Sequence, residues 1–133
     1  GGAVPKLELL FLGSNTIGGQ GVTALAAPLR KLPALRELQL SQTELDDDGV
    51  ASLFANLGKD DFKALERIAL DSVFGQGHAR NKLGEKSYAT LTSVLDEGAM
   101  PKLENLVLPA NGASQAALVQ AAARRHVQLV FAE

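Results

Sequence analysis

The chain has 133 residues, of which 46% are hydrophobic and 21% are charged, and its formal net charge is −2 with an isoelectric point near 5.7. This composition is that of one globular domain, and it gives no basic footprint for nucleic acid or an anionic membrane surface. The absence of cysteine excludes disulfides, thiolate metal sites and a thiol nucleophile. No apolar run approaches the ~20 residues of a membrane span, and no signal peptide is recognisable. We therefore expect an intracellular protein, with an organelle open as a destination if a targeting segment has been removed.

The first half of the chain contains two similar stretches. LELLFLGSNTIGGQGVTALAAPL starts at Leu7, and LRELQLSQTELDDDGVASLFANL starts at Leu35. Each opens with an L-x-x-L-x-L alternation, which is typical of a short strand, and continues with apolar residues at helical spacing. Further units open at Leu65 and Leu103, and VQLVFAE from Val127 is interpreted as a closing fifth strand. Such repeats indicate a solenoid, in which each unit buries its apolar face against its neighbours.

These stretches resemble the leucine-rich repeat family, in particular the ribonuclease-inhibitor-like type, which has a helix in every repeat of about 28 residues. The resemblance implies an α/β solenoid over residues 1–133, with a parallel sheet on the concave face, helices on the convex face, and about four repeats plus a closing strand. The family's Asn or Cys after the strand is matched by Asn15 and Asn111. It is replaced by Thr43 and Val73, so we expect irregular turns in the second and third units.

The side chains between the repeated leucines are predicted to lie on the concave face, because alternate residues of a strand point to opposite sides of the sheet. The middle strands are polar there and the outer strands are apolar, and exposed apolar patches often mark contacts. Packing at the ends of the sheet is the alternative for the apolar positions. The predicted partner-binding residues are Leu9, Phe11, Glu37, Gln39, Arg67, Asp71, Asn105, Val107, Leu129 and Phe131.

An insertion is predicted in the third unit, as a loop over residues 72–87 with the sequence SVFGQGHARNKLGEKS. His78, Arg80, Lys82 and Lys86 make this segment basic, and a loop at the rim of the sheet is suited to contact an acidic partner or a phosphate. A tolerated, solvent-exposed insertion is the alternative. The segment lacks the G-K-[ST] ending of a nucleotide-binding loop.

Three consecutive carboxylates, Asp46, Asp47 and Asp48, precede a helical pattern. They are interpreted as a helix N-terminus rather than a metal site, because consecutive side chains point in different directions and no EF-hand spacing follows. The two histidines, His78 and His126, lie apart from any nucleophile motif. No catalytic, cofactor-binding or metal site is predicted, and we do not expect an enzyme.

The resemblance implies a noncatalytic protein–protein interaction module that presents its concave sheet to a protein partner. The alternatives are a structural subunit of a large multiprotein complex, or a regulatory repeat domain of a larger sensor or GTPase-activating protein. Neither nucleic-acid binding nor membrane insertion is expected. Because the first unit has no polar cap before Val4, we expect the chain to be part of a longer solenoid or to be capped by a partner.

Overall fold

The protein is described here by a computed structural model that covers residues 7–11, 18–40, 43–71 and 81–131. In these ranges, strands and helices alternate along the chain. The strands are β1 (Leu9–Phe11), β2 (Glu37–Gln39), β3 (Arg67–Ala69), β4 (Asn105–Leu108) and β5 (Gln128–Phe131). The helices are α1 (Gly18–Arg30), α2 (Asp47–Phe54), α3 (Glu85–Asp96) and α4 (Ala116–Arg125), and a 3₁₀ helix (Ala110–Ser114) precedes α4.

All five strands pair in parallel, in the order in which they occur along the chain. Parallel neighbours require a crossover connection, and the helices supply it on one side of the sheet. Adjacent helices also pack against each other, α1 on α2, α2 on α3 and α3 on α4. The predicted α/β solenoid is therefore confirmed.

The core lies between the sheet and the helices. Leu38, Ile68 and Leu106 pair side by side across β2, β3 and β4 and are at most 1% exposed. Each helix contributes an apolar stripe to the same core, as Val22 and Leu29 do in α1. The leucines of the L-x-x-L-x-L pattern thus point inward in these strands, as predicted.

The pairing of β5 differs by one residue from the sequence prediction. Leu129 pairs with Leu106 and Phe131 pairs with Leu108. Since both partners point into the core, Leu129 and Phe131 face the core as well, and they pack against it. Their predicted place on the concave face is wrong, and Gln128 begins the concave positions of this strand instead.

The shift of register originates at the junction between α4 and β5. His126 adopts the left-handed conformation, with φ 57°, and its N–H donates to the carbonyls of Ala122 and Ala123. The next N–H, that of Val127, donates to the Ala122 carbonyl. This closure takes the chain from the helix into the strand at once, whereas a longer turn separates α1 from β2. Val127 is 6% exposed as a result and occupies the end of the core.

A buried carboxylate links the end of α1 to the turn before β3. Asp61 has a side chain that is only 6% exposed, and it accepts hydrogen bonds from Lys31 Nζ at 2.6 Å and Arg30 Nη2 at 3.1 Å. It also accepts the N–H of Gly58 at 2.9 Å. Hydrogen bonds from Lys31 and Gly58 lower the pKa of Asp61 to about 2. The carboxylate is therefore charged in the folded protein and stabilises this junction between units.

The assignment of Leu38 to the core and Glu37 to the concave face predicts that substitutions at these neighbouring positions change stability by very different amounts. Leu38→Asp places an unpaired charge at a site with 0% exposure, and we expect it to remove more than about 4 kcal/mol of stability. Glu37→Ala changes a side chain on the other face, and we expect a change within about 0.5 kcal/mol. Urea denaturation followed by circular dichroism measures both values. Cooperative unfolding retained by Leu38→Asp would contradict the assignment of faces.

Asp61 also predicts a loss of stability in acid. A carboxyl with a lowered pKa stabilises the fold above its unfolded pKa, near 3.8, and this contribution disappears as the pH falls towards about 2. The shift corresponds to about 2 kcal/mol. Asp61→Asn should therefore be less stable at pH 7, and the difference from the parent should shrink between pH 4 and pH 2. A difference that is constant over this pH range would show that the carboxylate charge is not the stabilising feature.

Candidate partner-binding surface

The concave side of the sheet carries two rows of side chains that run across the strands. The pairing defines the first row as Leu9, Glu37, Arg67, Asn105 and Gln128, and the second row as Phe11, Gln39, Ala69, Val107 and Val130. The rows alternate with the core leucines because successive residues of a strand point to opposite faces. Five strands therefore bring residues that are distant in sequence onto one surface.

The first row is open to solvent along the sheet. Leu9 is 49% exposed, Arg67 and Gln128 are also exposed, and Glu37 and Asn105 are half-buried. A shallow depression of about 200 Å³ lies over this row between β1 and β4. The predicted positions Leu9, Glu37, Arg67 and Asn105 are thus brought together on one accessible surface.

The second row is open at its β1 end and closed at its centre. Phe11 is 58% exposed and Gln39 is half-buried, but Val107 is only 3% exposed. Val107 stands between Ala69 and Val130 in the row, and these neighbours flank it on both sides. Its prediction as an exposed contact is therefore wrong.

Asp71 was also predicted as a contact, and the structure buries it. It follows β3 and is 4% exposed. Tyr88 of α3 is 1% exposed, and its hydroxyl donates to Asn111 Oδ1. Burial and the negative charges of Asp71 and Asp47 raise the pKa of Tyr88 to about 12. Asp71 therefore belongs to the polar interior at the carboxyl end of the sheet, and its prediction as an accessible contact is wrong.

A charged row borders the first row at the beginning of the strands. It contains Glu8, Arg36, Glu66 and Glu104, whose backbones are hydrogen-bonded in succession. Arg36 donates to Glu8 Oε1 at 2.9 Å and to Glu66 Oε2 at 3.3 Å. Both contacts raise the pKa of Arg36 above its ordinary value, and the hydrogen bond to Glu8 has the largest effect. This row is not among the residues predicted to bind a partner, although its members occupy the second position of each L-x-x-L-x-L pattern.

Carboxylates outnumber guanidinium groups on this part of the surface. Arg67 Nη1 of the first row lies 3.8 Å from Glu37 Oε1. Arg67 and Arg36, the arginine of the charged row, therefore both have acidic neighbours in the sheet. Glu104 is exposed and has no ion pair with any residue in the described ranges. The surface around β3 and β4 therefore carries an excess of negative charge.

The structure describes two of the four residues of the predicted basic loop, Lys82 and Lys86. His78 and Arg80 lie outside the described residues. Lys82 is held by the backbone, since its N–H donates to the Leu45 carbonyl at 2.6 Å, and Lys86 lies in the first turn of α3. The predicted end of the loop at residue 87 is wrong, because α3 begins at Glu85. Lys82 and Lys86 are exposed and flank the carboxyl end of the sheet.

Asn81 closes the insertion and joins the second unit to the third. Its Nδ2 donates to the carbonyls of Leu40 at 2.8 Å and Leu70 at 2.5 Å. Its Oδ1 accepts the N–H groups of Thr43 at 3.0 Å and Leu45 at 2.9 Å. This buried side chain supplies the contacts expected of an asparagine after the strand.

The sequence contains a signal for this role that the prediction missed. Asn81-x-Leu83 has the same spacing as Thr43-x-Leu45, but the insertion places it well after β3. The prediction therefore assigned the position to Val73, by counting from the strand. In the second unit the hydroxyl of Thr43 donates to the Leu40 carbonyl at 2.8 Å, so a threonine side chain bonds to the end of this strand.

The aspartates before α2 act as caps for two helices. Asp46 accepts the N–H of Gly49 at 3.0 Å and caps α2 itself. Asp47 accepts the N–H groups of Gly84 at 2.9 Å and Ser87 at 3.2 Å, and the Ser87 hydroxyl also donates to it. It therefore caps α3, a helix of the next unit. Burial opposes the charge of Asp47, but the hydrogen bonds from Ser87 and Gly84 lower its pKa overall.

Gly84 is the residue that allows this arrangement. It is the N-cap of α3 and has no side chain to supply a hydrogen bond. A Cβ at this position would lie 3.0 Å from Asp47 Oδ2, so a larger residue would displace the carboxylate. The described residues contain no group of three or more His, Cys, Asp or Glu side chains that could hold a metal ion.

Comparison with known proteins identifies the repeats. A family model described as Leucine Rich repeat matches residues 5–26 and 31–54, which correspond to the first two units. No curated protein matches the chain in sequence. Among the described residues, no helix is long and apolar enough to cross a membrane.

Because Asp47 of the second unit caps α3, substitutions at Asp47 and Gly84 should have coupled effects on stability. Asp47→Ala removes three hydrogen bonds to α3 and should cost about 1–3 kcal/mol. Asp48→Ala, an exposed control in the same turn, should cost only about 0.5 kcal/mol through the helix dipole. Gly84→Asp should destabilise the parent by crowding Asp47, but it should recover part of the loss in the Asp47→Ala background by supplying a local cap. Strictly additive effects in denaturant unfolding would contradict the cap.

Proposed function

Because the chain is a leucine-rich repeat protein, we propose that it is a noncatalytic module that binds a protein partner on the concave face of its sheet. Leucine-rich repeat domains generally mediate protein–protein interaction. The observation that carries the proposal for this chain is the first row, in which five strands in register present accessible side chains, including the exposed Leu9, next to the exposed Phe11 of the second row.

The chemistry of the first row suits a protein ligand. Parallel strands lie about 4.8 Å apart, so the row extends over roughly 20 Å, enough for an extended segment or a helix of a partner. Leu9 and Phe11 provide apolar area at one end. Glu37, Arg67 and Asn105 provide hydrogen-bonding groups along the rest, and a combination of apolar anchors and polar neighbours is typical of protein interfaces.

The charge of the surface favours a partner with basic side chains near β3 and β4. Glu104 is exposed and has no ion pair within the described residues, and Glu66 shares the cation Arg36 with Glu8. Such exposed charges contribute more to the rate and specificity of association than to affinity, and their effect is screened by salt. Lys82 and Lys86 form a second, basic set of contacts at the opposite end of the strands in this proposal.

Site-specific photocrosslinking tests which face of the protein contacts the partner. A photoreactive phenylalanine analogue replaces Arg67 on the concave face in one variant and Ala89 on the exposed face of α3 in a matched variant. In extract from the native source, we expect the position 67 variant to capture a discrete protein and the position 89 variant to capture none. Equal capture from both positions, or capture from position 89 alone, would contradict concave binding.

Two point variants then separate binding from folding. Leu9→Ser removes an exposed apolar anchor, and we expect at least a tenfold loss of affinity for the captured protein, since apolar anchors contribute about 1.4 kcal/mol or more. Val119→Ser, whose side chain is 39% exposed on α4, is the control and should leave the affinity unchanged. Calorimetric titration gives the affinities, and thermal unfolding should remain cooperative for both variants. Equal affinity of Leu9→Ser and the parent would remove Leu9 from the site.

A further inference from the structure

Asn111 is the one asparagine of the chain that is directly followed by glycine, and this dipeptide is chemically labile. The backbone nitrogen of such a glycine attacks the side-chain carbonyl carbon of the asparagine, because no Cβ hinders its approach. Ammonia leaves and a cyclic succinimide forms. Water then opens the ring at either carbonyl and gives aspartate or isoaspartate. The net reaction replaces an amide with a carboxylate, and water is the only co-reactant.

The fold requires both residues of this dipeptide. Asn111 occupies the position after β4 at which the repeat has its asparagine. Gly112 is buried, and a Cβ on it would lie 3.2 Å from Tyr88 Cε1 and 3.2 Å from Phe131 Cε1. A larger residue would therefore crowd two aromatic rings of the core. The labile sequence is a consequence of these two requirements.

The third unit holds the side chain of Asn111 at both ends. The Tyr88 hydroxyl of α3 donates to its Oδ1, and its Nδ2 donates to the Leu83 carbonyl at 3.1 Å. Asn111 is exposed to solvent as a residue, but these two hydrogen bonds fix the orientation of its amide. The side-chain carbonyl carbon is thus kept in place while α3 and the 3₁₀ helix stay together.

The backbone around Asn111 is fixed as well. The Gly112 N–H donates to the Pro109 carbonyl at 2.9 Å, and the Gln115 N–H donates to the Gly112 carbonyl at 3.0 Å. The Ser114 hydroxyl donates to the Asn111 carbonyl at 3.0 Å. Closure of the succinimide ring requires rotation about ψ of Asn111 away from the values of a 3₁₀ helix. The reaction in the folded chain therefore requires local opening first.

The product does not fit the closed junction. An aspartate at position 111 cannot donate to the Leu83 carbonyl, so two acceptor oxygens would face each other. It also adds a negative charge beside Tyr88, on which the carboxylates of Asp71 and Asp47 already act. Isoaspartate in addition lengthens the main chain by a methylene group, which disturbs the hydrogen bonds of the 3₁₀ helix. Both products therefore weaken the contact between the third and fourth units.

We propose that Asn111 is a site of spontaneous deamidation that is controlled by the junction between α3 and the 3₁₀ helix. While the junction is closed, Tyr88 and Leu83 hold the amide and the reaction is slow. When the junction opens, Gly112 attacks, and the resulting carboxylate prevents proper closure. A transient opening thus becomes a permanent change of the molecule. This inference goes beyond concave binding and does not depend on it, because none of these groups belongs to the two concave rows.

Timed incubation of the full chain in a mildly alkaline buffer tests the proposal. Samples with and without guanidinium chloride are digested with trypsin, and fragmentation of the peptide over residues 103–124 locates each gain in mass. Asn105 lies in the same peptide and is the internal control, because the bulky Leu106 follows it. In denaturant we expect modification of Asn111 and none of Asn105. Without denaturant, modification of Asn111 should be at least tenfold slower.

Tyr88→Phe tests the control by the junction. It removes the hydroxyl that bonds to Asn111 but keeps the ring in the core. Loss of this hydrogen bond should raise the population of the open form, and with it the rate of deamidation, about three- to tenfold. Thr92→Val is the matched control, because it removes a hydroxyl of the same helix that donates to the Tyr88 carbonyl and not to Asn111. It should leave the rate unchanged, and all three chains should react equally fast in denaturant.

Asn111→Asp tests the effect of the product. We expect this variant to lower the thermal midpoint by more than about 2 °C. It should also speed hydrogen exchange at the Gly112 and Gln115 amides at least threefold and leave exchange in β2 unchanged. Gln128→Glu adds the same charge at an exposed position of β5, and this control should leave exchange at Gly112 and Gln115 unchanged.

Three results would overturn the proposal. Equal rates of deamidation with and without denaturant would show that the fold does not restrain Asn111. Equal rates for Tyr88→Phe and the parent without denaturant would show that the contact with α3 does not control the reaction. Unchanged stability and exchange in Asn111→Asp would show that the product leaves the junction closed.

Discussion

The register of the parallel strands is the constraint on which the other features of this molecule depend. Leu38, Ile68 and Leu106 lie side by side because each strand begins at the same point of its repeat. Once these residues are buried, the period of two fixes Glu37, Arg67 and Asn105 on the opposite face. The candidate binding surface is therefore a geometric consequence of the core, and its residues are free to differ from unit to unit without loss of the fold.

Polar side chains at the junctions supplement this apolar stacking. Asn81 bonds to the backbone of two units, Asp47 caps the helix of the next unit, and Arg125 donates to the carbonyls of Leu95 and Met100. In a solenoid each unit contacts only its neighbours, so the strength of each junction determines whether the units unfold together. Buried and satisfied polar groups also exclude alternative registers, because a shift would leave them without partners.

The sequence correctly predicted which residues lie on the concave face where the alternation within a strand determines it. It failed where a turn determines the register of a strand or where the surroundings determine how deeply a side chain is buried. Glu37 and Arg67 were placed correctly because their strands follow the leucine pattern. Leu129 was misplaced, since the direct closure of α4 into β5 shifts the register by one residue and no composition signal marks such a shift. Val107 was assigned to the correct face, but the alternation within one strand does not determine how deeply a side chain on that face is buried, and Val107 is only 3% exposed.

The charged row borders the proposed concave binding surface. Surface ion pairs contribute little to stability, so the Glu8, Arg36 and Glu66 row is better suited to orient a partner than to hold the fold. The alternation of sign stops at β4, where Glu104 follows Glu66 directly. Glu104 has no ion pair within the described residues, so this place beside the concave row attracts a cation. The charge at one position of the repeat thus determines where along the sheet a partner with basic residues finds a complementary group.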